Sequence, residues 1–410
     1  MNPDRWLTRK RLCVHALLLA LTMWGFYIWT IATPSFRDRN GNFRGADFLH
    51  LYTLGSLAVT HRGSELYDEQ SQALLLQHRV PEAAGIRYLP LYPPQVSILF
   101  APLAFLSYGW ALAVWWISTG LIYGVCCYAI WQSCPALDDY GWTVALIALA
   151  FPAFFNLIAW GQTSALALAC FTLAFPLLRD QREFAAGLAL GFLVFKPQLG
   201  LAAAIVFIIA GNWRIVAGGA VSAAGQLALG VVYYGIDPFL SWLRTLWHVP
   251  ALLSDFEPRP YQTHCLRTFW SMLVPWSGVS LGLYVISAVV VLAWTIAIWK
   301  GHLPFPLKYS ALLLATVLVS PHLTVYDLVI LAPAILLLAD WRLSHPIAPI
   351  GFGVLLYLVC VLPLLGPDTR WLRIQLSVIA MAALLYSIWR IAGKEYAVSI
   401  RVRTEAGTTT

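Results

Sequence analysis

From Leu12 to Thr33 the chain runs about 22 residues without an Asp, Glu, Lys or Arg, and runs of this kind recur along most of its length. A helix crossing the hydrocarbon of a bilayer needs about 20 mainly apolar residues, because each residue advances it about 1.5 Å. Cut at prolines, glycines and charge clusters, the apolar runs fall at 12–33, 95–131, 142–158, 162–178, 184–195, 198–210, 215–234, 279–300, 307–320, 323–340, 346–364 and 371–391. Only 26 basic and 19 acidic residues serve all 410 positions, 11% against the roughly 25% of an average soluble domain. So few charges cannot cover a water-facing surface of that size. A soluble enzyme, a disordered chain and a nucleic-acid binder are therefore excluded. A β-barrel is excluded because the runs are continuous rather than alternating. The sequence predicts an all-α polytopic membrane protein of about twelve spans, built as one integrated domain over 1–410.

The first run follows Arg9-Lys10-Arg11, as a signal peptide would, but its length and the spans behind it predict an uncleaved signal anchor. Two long polar insertions stand out, at about 34–94 and 235–278, and a polar tail occupies about 392–410. No fixed-period repeat is visible, and only Thr404–Thr410 is low in complexity. Residues 95–131 are too long for one ordinary helix, and Ser107-Tyr108-Gly109 could divide them. Basic residues cluster on cytoplasmic connections, and this orders the topology. If 95–131 makes one net crossing, fourteen of the 26 basic residues lie inside, from Arg5, Arg9, Lys10 and Arg11 to Arg401 and Arg403. Nine of the rest sit in the two long loops, where the rule has little force, leaving only Lys196, Arg370 and Arg373 on short outer connections. Two crossings would invert this arrangement. The expectation is both termini in the cytoplasm of a multi-pass cell-membrane protein, with two large loops outside. The net charge of +7 then reports topology and contact with lipid headgroups rather than an acidic partner.

Seven cysteines show no metal-type spacing and lie mostly within apolar runs, so they read as packing residues. No metal or other cofactor is expected. With this topology, several polar breaks meet at the outer face: Asp47, Gly161-Gln162-Thr163, Lys196-Pro197-Gln198, Pro321-His322, and Asp327 about a turn and a half deeper. Runs 184–195 and 198–210 are too short to cross alone, and they meet at Lys196 in a polar notch that protein or water must surround.

Each of these residues carries a plain reading beside a functional one. Asp47 could be the N-cap of a helix lying flat in the interface, or a general base at the water–lipid boundary. Lys196 could snorkel to headgroups, or, since intramembrane ions are costly, bind the phosphate of a lipid. His322 could donate to the same phosphate or be structural. Asp327 could pair with Lys196 or His322, or hold a helix in register. Gln162 could bind sugar hydroxyls or satisfy the backbone of a helix end. The run Tyr88-Leu89-Pro90-Leu91-Tyr92-Pro93-Pro94 suits an interfacial anchor, and its aromatic faces also suit sugar rings.

Taken in order, Asp47-Phe48, Gly63-Ser64-Glu65-Leu66-Tyr67-Asp68, Tyr92-Pro93-Pro94, Gly161-Gln162, Lys196-Pro197-Gln198 and Ser320-Pro321-His322 resemble glycosyltransferase family 87. The resemblance runs from about Asp47 to Asp327, and no family signature is recognised in Gly235–Gly278. It implies a GT-C type bundle with short outer-leaflet helices and interfacial helices in the first outer loop. It also implies a polyprenyl-phosphate sugar donor, mannose being the family's commonest association, and a lipid or glycan acceptor. By the same resemblance Asp47 is the catalytic base, Lys196 and His322 hold the donor phosphate, and Gln162 lies nearby. Gln198, Tyr92 and Asp327 are further substrate-binding candidates. Nucleic acid is not an expected partner; membrane lipids are. Two rivals remain: a lipid-linked saccharide flippase or transporter, which would tend to show paired internal repeats, and a polymerase or ligase of surface glycans.

Overall fold

The structure is a computed structural model that describes residues 3–248, 259–345 and 349–407, with side chains to 393. Helices dominate, and the described residues contain no strand, only the isolated bridges Arg37–Phe43 and Thr263–Thr324.

α1 (Arg9–Ile31) is 23 residues long and leaves Leu17, Leu18, Leu21, Phe26, Ile28 and Trp29 exposed. The first long connection carries α2 (Ala46–Val59) and α3 (Glu69–Arg79), then α4 (Gln95–Phe100) with a 3-10 extension to Phe105. α5 (Tyr108–Trp131) exposes Trp110, Val114, Ile117, Leu121, Val125 and Tyr128. Their spacing of three and four residues is one face of a helix, and an apolar face that size requires lipid. The 95–131 run is thus a short apolar piece followed by one full-length helix, divided at Ser107, where the backbone is extended. The expected run 142–158 is also divided. Pro152 removes a backbone donor and holds Phe151 extended, so α6 (Gly141–Leu149) and α7 (Pro152–Trp160) meet at 46°.

α8 (Ser164–Arg179) and α9 (Glu183–Gly191) lead through a 3-10 turn to Lys196, from which α10 (Pro197–Ala210) and α11 (Trp213–Tyr234) follow. α9 crosses α11 at close range. A Cβ on Gly187 would stand 2.1 Å from the Ile215 carbonyl, and one on Gly218 2.2 Å from that of Phe184. Small residues of this kind let helix backbones touch where no hydrophobic gain drives them together.

α12 (Ile236–His248) and α13 (Leu266–Leu273) belong to the second long connection, and α14 (Ser277–Lys300) follows. α15 (Phe305–Val319) is buried at every residue from Tyr309 to Val319. A helix apolar all round is buried in protein or in lipid; for α15 it is protein, since it packs against α10, α14 and α16 (Ala332–Ser344) at the centre of the bundle. The chain closes with α17 (Phe352–Val361), α18 (Gly366–Leu372) and α19 (Leu376–Gly407).

Among the described residues, six helical stretches are long and apolar enough to cross a membrane: α1, α5, α11, α14, Phe352–Leu372 and Leu376–Gly393. The bent pair of α6 and α7 makes a seventh if counted as one span. α8, α10 and α15 are apolar but only 16, 14 and 15 residues long. α2 corrects one expectation. Every residue from Phe48 to Ala58 is buried, so this helix does not lie flat on the interface but is enclosed by protein. The helix is apolar on nearly every side. Its polar Thr53 and Ser56 donate to the carbonyls of Leu49 and Tyr52, which hides them within the helix.

Candidate active site

The first turn of α2 is held by its surroundings. Gly45 is the N-cap, in the left-handed conformation at φ 62°, and makes no side-chain cap. Asp47 stands two residues further on, so the N-cap reading of this carboxylate does not hold. Its Oδ2 instead accepts a hydrogen bond of 2.7 Å from Gln162 Nε2. Gly161 makes that meeting possible. It ends α7 at φ 72°, and a Cβ there would lie 2.6 Å from the Cβ of Phe48. Left-handed backbone favours glycine, and only glycine lets α2 come this close. Trp115 Nε1 donates to the Gly161 carbonyl at 2.9 Å while its ring stacks on Phe48, so α5 clamps the junction.

Gln162 serves both a side chain and a helix end. Its Oε1 accepts from the Thr163 backbone N–H at 3.2 Å and from Tyr92 Oη at 3.4 Å. Its Nε2 also donates to Tyr326 Oη at 3.2 Å. Tyr326 then joins a second group of residues, because Lys196 Nζ sits over its ring, 5.1 Å from the centroid. Lys196 caps α10 with a non-helical backbone, which turns its side chain inward, and it is 6% exposed. Nζ donates to Asp327 Oδ1 at 2.8 Å and to Ser164 Oγ at 3.1 Å, and Ser164 Oγ donates to the same carboxylate oxygen. A buried ion pair is tolerable only when its remaining polar atoms are satisfied. Here Asp327 Oδ2 takes the Thr324 N–H, in a reciprocal capping box that starts the 3-10 helix Val325–Leu331. Of the alternatives for Asp327, the structure shows pairing with Lys196 and capping of a helix. An ammonium has three donors, so these two bonds leave one.

His322 lies at the end of α15. Ser320 is extended, as a residue before proline must be, and its hydroxyl donates to the His322 carbonyl at 2.8 Å. Arg267 Nε donates to the Pro321 carbonyl, tying the second long connection to this turn. Gln198 is half-buried in the first turn of α10 and makes no side-chain hydrogen bond among the described residues. Thus Asp47, Gln162, Tyr92, Lys196 and Asp327 form one network, His322 stands on the adjoining turn, and Gln198 is outside the network.

Three participants carried no sequence signal of their own: Ser164, Tyr326 and His50. Ser164 directly follows Gly161-Gln162-Thr163, a proximity that was available to use. Tyr88 Oη donates to the Ala46 carbonyl and its ring stacks on His50 at 4.8 Å, one turn along α2 from Asp47. Burial pushes the His50 imidazole down to about 4, so it is neutral. Burial also pushes the Asp47 carboxyl up to about 6, although the Gln162 hydrogen bond and the Lys196 charge both pull it down. A carboxyl at about 6 is ionised near neutrality and still basic enough to take a proton. A cavity of about 770 Å3 lined by Arg9, His15, Tyr357 and Cys360 lies toward the other end of α5 and touches none of these residues.

A buried carboxyl, a buried ion pair and the tyrosines around them suit several chemistries, so sequence comparison decides the class. Residues 91–321 match the model of glycosyltransferase family 87, more than half of the chain. The chain belongs to glycosyltransferase family 87. No curated protein and no solved structure matches it. Membership in family 87, together with the apolar helices, makes this a multi-pass membrane glycosyltransferase, with a sugar donor and an acceptor. The family 87 match covers Tyr92, Gln162, Ser164, Lys196 and Gln198; Asp47 precedes it, and His322 and Asp327 follow it.

Proposed function

We propose that this enzyme transfers a sugar, most simply mannose, from a polyprenyl-phosphate donor to a lipid or glycan acceptor at the outer face of the cell membrane. Asp47 takes the proton from an acceptor hydroxyl as its oxygen attacks the anomeric carbon. The bond from that carbon to the donor's phosphate oxygen breaks, and polyprenyl phosphate leaves with the electron pair. One displacement inverts the anomeric centre. The remaining donor of Lys196, with His322, stabilises the negative charge that grows on the phosphate. Gln162 positions the Asp47 carboxylate, and Asp327 positions Lys196. Gln198 and Tyr92 line the substrate side. The leaving group is already a phosphate ester, so the scheme needs no metal.

The observation that carries this reading is the single network linking Asp47, through Gln162 and Tyr326, to Lys196. It brings a basic carboxylate and a cation to one place, as displacement of a phosphate by a hydroxyl requires. About twelve apolar segments, with both termini in the cytoplasm, agree with the distribution of basic residues. The test uses purified full-length enzyme in proteoliposomes with radiolabelled polyprenyl-phosphate mannose. Asp47→Asn is expected to stop transfer of label while still binding donor. Transfer at the wild-type rate by that variant would overturn the assignment.

A further inference from the structure

A second polar cavity, of about 620 Å3, lies between the second long connection and the α18–α19 junction, and three of its lining residues are Arg259, Arg370 and Arg373. Among the described residues no acidic side chain lines it. None of the three guanidinium groups has a carboxylate partner among the described residues; Arg370 only rests on the Trp371 ring, 5.8 Å from its centroid. Three unpaired cations around one concavity repel one another, and an anion relieves that repulsion.

Two independent observations say that these arginines are placed there at a cost. Under the topology proposed above, Arg370 and Arg373 are two of the three basic residues on short outer connections, against the bias that governs the rest. Arg373 also closes α18 in the left-handed conformation, at φ 52°, with its N–H on the Thr369 carbonyl. That position normally takes glycine, and a side chain there is strained. The arrangement is rigid as well: Gln375 Nε2 donates to the Pro260 carbonyl at 3.0 Å, pinning the strip that carries Arg259 to the start of α19.

The backbone connects the cavity with the candidate active site. Thr263, four residues from Arg259, bridges to Thr324, and the Thr324 N–H donates to Asp327, the partner of Lys196. We propose that Arg259, Arg370 and Arg373 form a phosphate-binding site separate from the candidate active site, which takes the phosphate of a membrane lipid headgroup or a free phosphate group. Guanidinium forks match phosphate oxygens in pairs. The site's placement on the outer face rests on the proposed topology; its chemistry does not depend on Asp47.

The test measures binding to purified full-length protein in a neutral detergent by isothermal titration. The probes are inorganic phosphate, dihexanoyl phosphatidylglycerol and dihexanoyl phosphatidylcholine. Wild type is expected to bind phosphate or phosphatidylglycerol at least tenfold more tightly than Arg259→Gln/Arg370→Gln/Arg373→Gln, with each single substitution giving a partial loss. Saturation by inorganic phosphate identifies the free anion as sufficient, whereas saturation by phosphatidylglycerol alone identifies a lipid headgroup; either supports the site. Equal affinity of wild type and all four variants for every probe would overturn it. Asp47→Asn is expected to bind these probes like wild type, so failure of the catalytic reading and failure of this site are separately visible.

Discussion

Asp47 is held in a state that favours its neutral form, and this has two consequences of opposite sign. As the proposed base it must be ionised to act, so kcat/KM for transfer is expected to rise with pH along an acid limb with a midpoint of about 6. A pH–rate profile checks it, and a limb centred near 4 would remove the burial argument. Stability moves the other way. The folded protein holds this proton more tightly than the unfolded chain, so the contribution is full below about 4 and is lost as pH rises through about 6. Asp47→Asn is therefore expected to melt higher than wild type at pH 8 and nearly equally at pH 4, while transferring no sugar. The Lys196–Asp327 pair behaves differently. Removing one partner leaves a buried charge alone, and Lys196→Met is expected to cost about 3–5 kcal/mol, read by denaturation in detergent. Lys196→Met/Asp327→Leu is expected to recover much of the stability but none of the activity. Asp47, Lys196 and Asp327 were legible in the sequence because charge is so scarce there. The pairing of Asp327 with Lys196 was among the sequence readings, although 131 residues separate them. The partner of Asp47 was not: Gln162 stood out as a polar break, but it lies 115 residues away. Tyr326 and Ser164 belong to residue types too common to attract notice.

At the scale of elements, the junction of α2 with α7 and α8 decides whether a base exists at all. Gly161→Ala combines a left-handed residue, costing about 1–2 kcal/mol, with a methyl group 2.6 Å from the Phe48 Cβ. Phe48 must move, and Asp47 moves with it. We expect transfer to fall more than tenfold with insertion into the membrane unchanged. Gly120→Ala on α5, where nothing lies within 4 Å of the new methyl group, is the control and is expected to be neutral. Transfer assays on both variants check this, and similar activities would show that the close approach does not matter. The sequence carries the breaks at Gly161 and at the Lys196-Pro197 step as local signals, whereas the run 142–158 passes over Pro152, where the structure bends. The placement of α2 flat in the interface does not hold, since a helix's own residues cannot reveal that protein covers it on all sides.

For the whole molecule, the distribution of basic residues predicts where each connection lies. In a variant lacking Cys13 and Cys360, Asn40→Cys is expected to react with an impermeant maleimide on intact cells, and Gln181→Cys only after permeabilisation. Labelling in the reverse order would invert the topology and with it the face on which the sugar is transferred. The poverty of charge, the length of the apolar runs and the placement of Lys and Arg were set by the sequence, because transfer of each segment from water to lipid is nearly a sum over its own residues. That argument reaches the class and supplies the proposed orientation. It does not reach the six full-length helices, the enclosure of α2 or the path from Asp47 to Lys196. Those depend on which surfaces meet, and a meeting such as Gly161 against Phe48 exists only once α2 and α7 have packed together.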